Sequence, residues 1–253
     1  ERYIIINTGE TSVKIDKTNA KICEIISDGR NMICEPVRIN LWRAPTDNDR
    51  YIRSKWESEG LDRIEQYARS TEITESDETH VTVKSTLVLC ALSKEPHAAV
   101  EQYITVERGG KITYDFGVKI KDGAQPLPRF GLELVMPQGN ERMKYFGKGP
   151  YESYSDKCLA SRIGLFETTV TDNFEHYVRP QENSSHCDCR RAFVGSLNGY
   201  GLEFERHSDS DSFIFNAQHI SAHELTHVKH DYELEMKKET YVYADIKMNG
   251  IGS

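Results

Sequence analysis

The stretch that decides the fold is ITYDFGVKI, residues 112–120, in which apolar side chains occupy every second position until the end of the run. A period of two places alternate side chains on opposite faces of a strand, so this stretch predicts a half-buried β-strand. The preceding run VEQYITV, residues 100–106, has the same period. Gly109-Gly110 lies between the two runs and can supply the positive φ of a tight turn, which predicts a β-hairpin.

The same alternation recurs along most of the chain. It predicts further strands at residues 81–89, 130–136, 201–205, 211–215 and 232–237. Turn signals fall between several of these runs, namely Asp28-Gly29, Asp122-Gly123 and the hairpin signal Asn198-Gly199.

Helix signals are few. Residues 53–61 predict about two helical turns that end near Gly60. Ser221-Ala-His-Glu224 has the pattern of a capping box and predicts a second short helix. Because strands do not alternate with amphipathic helices, we expect an all-β protein, one large antiparallel β-sandwich over residues 1–253. Long irregular loops are expected at residues 42–62 and 137–162.

Composition excludes several classes of partner. The 253 residues carry a formal net charge of −8, and Lys and Arg are scattered without a basic run. Nucleic acids and anionic membranes select clustered positive charge, so we expect neither as a partner. No segment approaches the roughly 20 apolar residues of a membrane-spanning helix.

The cysteines and the chain ends bear on the setting of the protein. The six cysteines show neither the spacing of zinc ribbons nor a small-domain disulfide framework. This predicts reduced, mostly buried thiols in a cytoplasmic protein. The chain begins with Glu1 and stops at Ser253, and we expect it to be a fragment of a longer multidomain protein.

Four motifs follow one another along the chain and cover most of it. They are LWRAPTDND (residues 41–49), YFGKGPYESYSD (145–156), YVRPQEN (177–183) with the later Arg190, and MNGIG (248–252). In this order and at similar spacing, they resemble the C-terminal domain (domain 5, small-chain type) of the lac-type β-galactosidases, glycoside hydrolase family 2. For this region, the resemblance implies an antiparallel supersandwich related to the galactose mutarotases.

The resemblance also implies a function. It points to the non-catalytic C-terminal domain of a retaining β-galactosidase that hydrolyses terminal β-D-galactosides. Such a domain packs on the catalytic barrel domain of the same chain and shapes the active-site rim. The two catalytic carboxylates of a retaining glycosidase would lie in that barrel, so no catalytic residue is assigned here and the fragment alone is expected to be inactive. The parent is expected to be a homo-oligomer that uses Mg²⁺ and Na⁺, and we assign no cofactor or metal site to this chain.

The motifs carry the residue types that recognise sugar hydroxyls, which are carboxylates, amides and arginine. On this basis the predicted substrate-binding residues are Arg43, Asp47, Asn48, Asp49, Glu152, Glu182, Asn183 and Arg190. The same residue types also tie long loops to the fold, because Asp and Asn bond nearby backbone and a buried Arg–carboxylate pair fixes a connection. For the second and third motifs this structural role is favoured. In the family, the stretch after the first motif borders the entrance to the active site.

Two alternatives stay open. A stand-alone carbohydrate-binding or mutarotase-like module would need a general acid and base, and the histidines without another role are His80, His97, His176, His186 and His207. No spacing singles out one of them. His223-Glu224-Leu-Thr-His227 fits the zinc-peptidase pattern, but its helix is expected to be short and no further ligand motif follows.

Overall fold

The computed structural model describes residues 1–206 and 211–252; the candidate His207 lies outside these ranges. The described chain is nearly all β and forms antiparallel sheets, which confirms the predicted fold class. In chain order the strands are β1 (Tyr3–Asn7), β2 (Thr11–Asp16), β3 (Lys21–Ser27), β4 (Arg30–Asn31), β5 (Glu35–Asn40), β6 (Glu65–Ser76), β7 (His80–Cys90), β8 (Ala98–Glu107), β9 (Ile112–Ile120), β10 (Arg129–Met136), β11 (Arg142–Gly149), β12 (Arg162–Thr169), β13 (His186–Cys189), β14 (Arg191–Gly195), β15 (Gly201–Glu205), β16 (Phe213–Gln218) and β17 (Thr240–Met248).

Short helices interrupt the strands. They are α1 (Arg53–Glu59), α2 (Val170–Asn173), α3 (Ala222–His227) and the 3-10 turns Asp47–Tyr51, Leu61–Arg63 and Asp231–Glu233. Within the described residues, no helix is long and apolar enough to cross a membrane.

The chain divides into two compact units. The first comprises Glu1–Arg38 and Ser58–Gln125, and the second comprises Ile39–Glu57 and Pro126–Ser253. The single domain expected over residues 1–253 stays a prediction.

The first unit contains two four-stranded sheets, in the orders β1-β2-β3-β4 and β6-β7-β8-β9. Their inward side chains, such as Val13, Ile22 and Leu87, are fully buried. The hairpin predicted from Gly109-Gly110 is present between β8 and β9, and Gly110 has a φ of +81°. A Cβ at Gly110 would also meet Thr11, so both backbone conformation and space require glycine there.

The second unit holds the quoted motifs. It contains a four-stranded sheet in the order β12-β11-β14-β15 and most of a five-stranded sheet in the order β13-β16-β17-β10-β5. On one face of the larger sheet, Glu133 of β10 lies opposite Tyr243 of β17, which lies opposite Asn216 of β16. These three side chains are buried, so this face is polar and covered rather than open to water.

Several local predictions are confirmed and others are wrong. Helix α1 ends before Gly60, whose φ is +79°, and Gly199 turns between β14 and β15 as expected. The predicted strand at 232–237 is absent, because His230 and Glu233 cap a 3-10 turn there and Leu234 packs against a small apolar cluster. The strand predicted at 211–215 begins later, at Phe213. The predicted loop at 137–162 contains all of β11.

The structure bears on the surroundings of the six cysteines, while their redox state stays a prediction. All six thiols are free. Only Cys187 and Cys189 are buried, whereas Cys34 is exposed and the other three are half-buried, so the expectation of mostly buried thiols is wrong. Burial raises the pKa of Cys187 to about 12, which makes this thiol a poor nucleophile at neutral pH.

Candidate functional site

The first motif is built around a buried ion pair. Arg43 has no exposed surface. Its two terminal nitrogens donate hydrogen bonds to the Asp49 carboxylate, Nη1 to Oδ2 at 2.6 Å and Nη2 to Oδ1 at 3.0 Å. Asp49 Oδ2 also accepts a hydrogen bond from the Thr46 backbone N–H at 2.7 Å, which opens the 3-10 turn. The Arg43 guanidinium lies 5.4 Å from the centroid of the Trp56 ring. These contacts make Arg43 and Asp49 the anchor of the turn.

The tip of the same turn faces outward. Asp47 and Asn48 are exposed, and Tyr51 is 75% exposed. Asp47 pairs with Arg179 at 3.0 Å, while its backbone N–H donates to the Gln181 side chain at 3.1 Å. The turn therefore presents a row of polar and aromatic groups at the surface, held from beneath by the anchor.

The C-terminal motif is clamped between the first and second motifs. Gly250 O accepts from Arg43 Nη2 at 3.1 Å, and Ile251 O accepts from Asn48 Nδ2 at 2.9 Å. From the other side, Asp156 accepts the backbone N–H groups of Ile251 and Gly252. A Cβ at Gly250 would lie 2.4 Å from Asp156 Oδ2, so a side chain there would displace this carboxylate. The turn and residues 250–252 thus form one hydrogen-bonded assembly, named here the rim assembly.

Glu152 ties the second motif to the third. It is 8% exposed; one carboxylate oxygen accepts from Lys157 and from Tyr177, and the other accepts from the Ser184 N–H at 2.7 Å. Burial opposes a charged Lys157, but the hydrogen bonds to Glu152 and Tyr177 outweigh it and raise the pKa of the ammonium. Burial, reinforced by Glu152, raises the pKa of the Tyr177 phenol. At neutral pH Lys157 is therefore an ammonium and Tyr177 a neutral phenol.

Glu182 belongs to a second buried charge cluster. It accepts from Arg129 Nη2 at 2.9 Å and from Ser185 Oγ at 2.9 Å. Arg129 Nε also lies 3.3 Å from Asp245 Oδ2, and all three charged side chains are at most 1% exposed. One guanidinium cannot neutralise two buried carboxylates. Burial, together with Glu182, accordingly raises the pKa of Asp245 to about 7.

The remaining predicted residues have different surroundings. Asn183 is buried, and its carbonyl accepts from Asn216 Nδ2 at 2.8 Å. Arg190 is exposed, with its guanidinium 5.9 Å from the Phe146 ring centroid, and the structure does not bring it into contact with the other predicted residues.

The eight predicted residues thus divide by position. Asp47, Asn48 and Arg190 stand at the surface, whereas Arg43, Asp49, Glu152, Glu182 and Asn183 are buried in contacts that fix loops. Their role in substrate binding stays a prediction.

Sequence reasoning missed several residues of the site. Asp156 and Tyr177 lie within the quoted motifs but are not among the eight predicted substrate-binding residues. Arg129 and Asp245 lie in strands, and the signal for Asp245 was a carboxylate inside the otherwise strand-forming run TYVYADIKM, residues 240–248. A charge on the inward face of a strand indicates a buried partner, since an isolated buried charge is too costly.

In the structure, the residues of the zinc-peptidase pattern make contacts that stabilise a short helix and its surroundings. Helix α3 is six residues long, and Glu224 caps it through Ser221 while pairing with Lys237 at 2.7 Å. The His223 ring stacks on Trp42, with centroids 6.5 Å apart. Within residues 1–206 and 211–252, no group of three or more His, Cys, Asp or Glu side chains is arranged to hold a metal ion. This geometry favours the capping role of Glu224.

The fold has a solved counterpart. It is similar to the crystal structure of a protein of Escherichia coli K12 assigned as an aldose 1-epimerase, with a TM-score of 0.50, 9% identity and coverage of 97% of this chain and 88% of the other. At this identity the likeness shows the fold alone. It confirms the predicted antiparallel sandwich of the mutarotase-like type.

The sequence comparisons define the family. Residues 7–253 match the family model described as beta galactosidase small chain, so the chain belongs to that family. The chain is 34% identical over 265 residues to a β-galactosidase of Staphylococcus xylosus, covering all of this chain and 25% of the relative. It is 34% identical over 253 residues to one of Actinobacillus pleuropneumoniae, covering 99% and 24%. The chain therefore spans about a quarter of the length of these relatives.

Proposed function

We propose that this chain is the non-catalytic C-terminal domain of a β-galactosidase, and that the rim assembly forms one edge of the active site. The observation that carries the proposal is the construction of the 3-10 turn. A fully buried Arg43–Asp49 pair holds an exposed tip that bears Asp47 and Asn48. A rigid support beneath exposed polar groups is the arrangement that positions side chains toward a ligand.

The rest of the proposal concerns the whole enzyme. The relatives are β-galactosidases about four times as long, so the partner is the catalytic barrel domain of the same chain and the substrate is a terminal β-D-galactoside. The enzyme would be a cytoplasmic homo-oligomer. We expect any Mg²⁺ or Na⁺ that it uses to bind outside this chain.

The alternative of a stand-alone mutarotase-like module has less support. A shared fold carries no activity by itself. Among the histidines considered as general acids, His186 is buried between Lys148 O at 3.1 Å and Asn173 Oδ1 at 2.8 Å. Burial lowers the pKa of His186 to about 4, so its ring is neutral at physiological pH. Both ring nitrogens are already engaged in hydrogen bonds within the protein.

A chimera tests the proposal. This chain replaces the matching quarter of the S. xylosus β-galactosidase, and folding is checked by circular dichroism and gel filtration. We expect the folded chimera to hydrolyse a nitrophenyl β-galactoside and the isolated chain to show no hydrolysis. A folded chimera without activity, or a chain that hydrolyses the substrate alone, would contradict the proposal.

A further inference from the structure

A pocket of about 450 Å³ opens beside the rim assembly, and nothing in the proposed function uses it. Its volume lies within the range of about 300–1,000 Å³ that is typical of small-molecule sites. Asp156 lines the pocket and also accepts the backbone N–H groups of Ile251 and Gly252 in the rim assembly. The lining residues that matter for its chemistry are Tyr151, Asp156, Lys157, Leu159, Glu175 and Tyr177.

Lys157 and Tyr177, which form one wall of the pocket, are fixed by contacts within the protein itself. Lys157 donates to Glu152 and to the Tyr177 hydroxyl, the latter at 2.8 Å, and the ammonium lies 5.5 Å from the Tyr177 ring centroid. An ammonium has three N–H donors, and these contacts among the described residues use two of them. Lys157 is half exposed, so its third donor is available to a ligand.

The other groups supply acceptors and an apolar surface. Glu175 is exposed, and its carboxylate has no hydrogen bond or ion pair within the described chain. Each oxygen of Asp156 accepts a single backbone N–H, which leaves each with a lone pair. Tyr151 is 61% exposed, and Leu159 is fully exposed beside it in the lining. An exposed aromatic ring of this kind offers a flat apolar face with a polar edge.

This combination selects a class of ligand. Three carboxylates and one ammonium line the pocket, which disfavours anions. Neighbouring hydroxyl groups of a sugar are bound by hydrogen-bond acceptors and a donor that lie close together. The apolar face of a pyranose ring is bound by an aromatic side chain that packs against it. We infer that the Tyr151–Tyr177 pocket is a binding subsite for a neutral pyranose, with Tyr151 beneath the ring and Glu175, Asp156 and Lys157 on its hydroxyls. The choice of a sugar rests in part on the proposed function, but binding requires no other domain.

The test uses the isolated chain and ligand-observed NMR. Methyl β-D-galactoside and lactose are titrated to about 50 mM, with acetate as an anionic control, because a single small subsite is expected to have a Kd of about 1–10 mM. We expect saturable binding of at least one sugar and none of acetate. Bound sugar should also slow alkylation of Cys158, which lines the pocket, in peptide mass spectrometry.

Two pocket variants and two matched controls locate the binding. Tyr151→Ala and Glu175→Gln should each weaken binding at least tenfold, because both side chains are exposed and their loss leaves the fold intact. Tyr232→Ala and Glu235→Gln change the same residue types at exposed positions outside the pocket and should leave binding unchanged. Absence of saturation, or binding that both pocket variants retain, would overturn the inference.

The two proposals fail separately. An active chimera whose isolated domain binds no sugar would overturn the subsite and leave the proposed function standing. Sugar binding that maps to Tyr151 in a domain whose folded chimera is inactive would overturn the proposed function and support the subsite.

Discussion

Removing the Arg43 side chain tests whether this residue is the anchor of the rim. In Arg43→Ala, the Asp49 side chain remains at a site that is only 4% exposed but loses both terminal nitrogens of its partner. Breaking a buried pair by deleting one member costs about 3–5 kcal/mol, much of it the cost of the charge left behind. At this chain length about 2–4 °C of Tm accompany each kcal/mol, so the expected drop is roughly 6–20 °C.

Thermal unfolding followed by circular dichroism measures the drop, with Arg190→Ala as the matched control. Arg190 is exposed on the surface, so its removal should change stability by less than about 0.5 kcal/mol. The double variant Arg43→Met/Asp49→Leu should recover much of the loss, since it leaves no unpaired charge. An Arg43→Ala protein whose Tm falls no further than that of Arg190→Ala would refute the anchor.

Three further predictions concern other contacts. The fold raises the pKa of Asp245 to about 7, so it stabilises the protonated carboxyl; that stability is complete below the unfolded pKa near 4 and is lost as pH rises through 7. Asp245→Asn should therefore flatten the fall in Tm between pH 4 and 7, and an unchanged fall over that range would refute this assignment. Gly250→Ala should lower Tm and speed amide exchange at residues 251–252, because its Cβ collides with Asp156; unaltered exchange would show that the clamp adapts. Ser221→Ala should cost about 0.5–2 kcal/mol through loss of the Glu224 N–H cap, and added zinc should leave Tm unchanged. A zinc-dependent rise in Tm would revive the metal-site interpretation.

The parts of the fold that follow from local chemistry were predictable. The run at 112–120 coincides with β9, because its period and the Gly109-Gly110 turn both favour a hairpin. The run at 232–237 also alternates, yet His230 and Glu233 satisfy the backbone locally in a 3-10 turn. Periodicity cannot distinguish these cases, since it records which faces are apolar and not where backbone hydrogen bonds go.

The candidate site shows a similar division. The motif at residues 41–49 correctly located the segment that forms the 3-10 turn. The sequence could not show that Arg43 points inward to Asp49 while Asp47 points outward. That difference depends on a single turn of 3-10 helix. The Arg129–Asp245 contact joins residues far apart in the chain, and its existence follows from strand pairing between β10 and β17.

Under the proposed function, the tip of the 3-10 turn borders the substrate site, while the catalytic chemistry takes place in another domain. Steady-state kinetics of the chimera carrying Asp47→Ala or Asn48→Ala measure this most directly, with Glu235→Gln, an exposed residue outside the pocket, as the control. Removing binding contacts that serve ground state and transition state equally raises KM and leaves kcat unchanged. We predict that result for both tip variants and wild-type constants for the control. A KM unchanged in both tip variants would contradict the claim, and so would a collapse of kcat with KM intact.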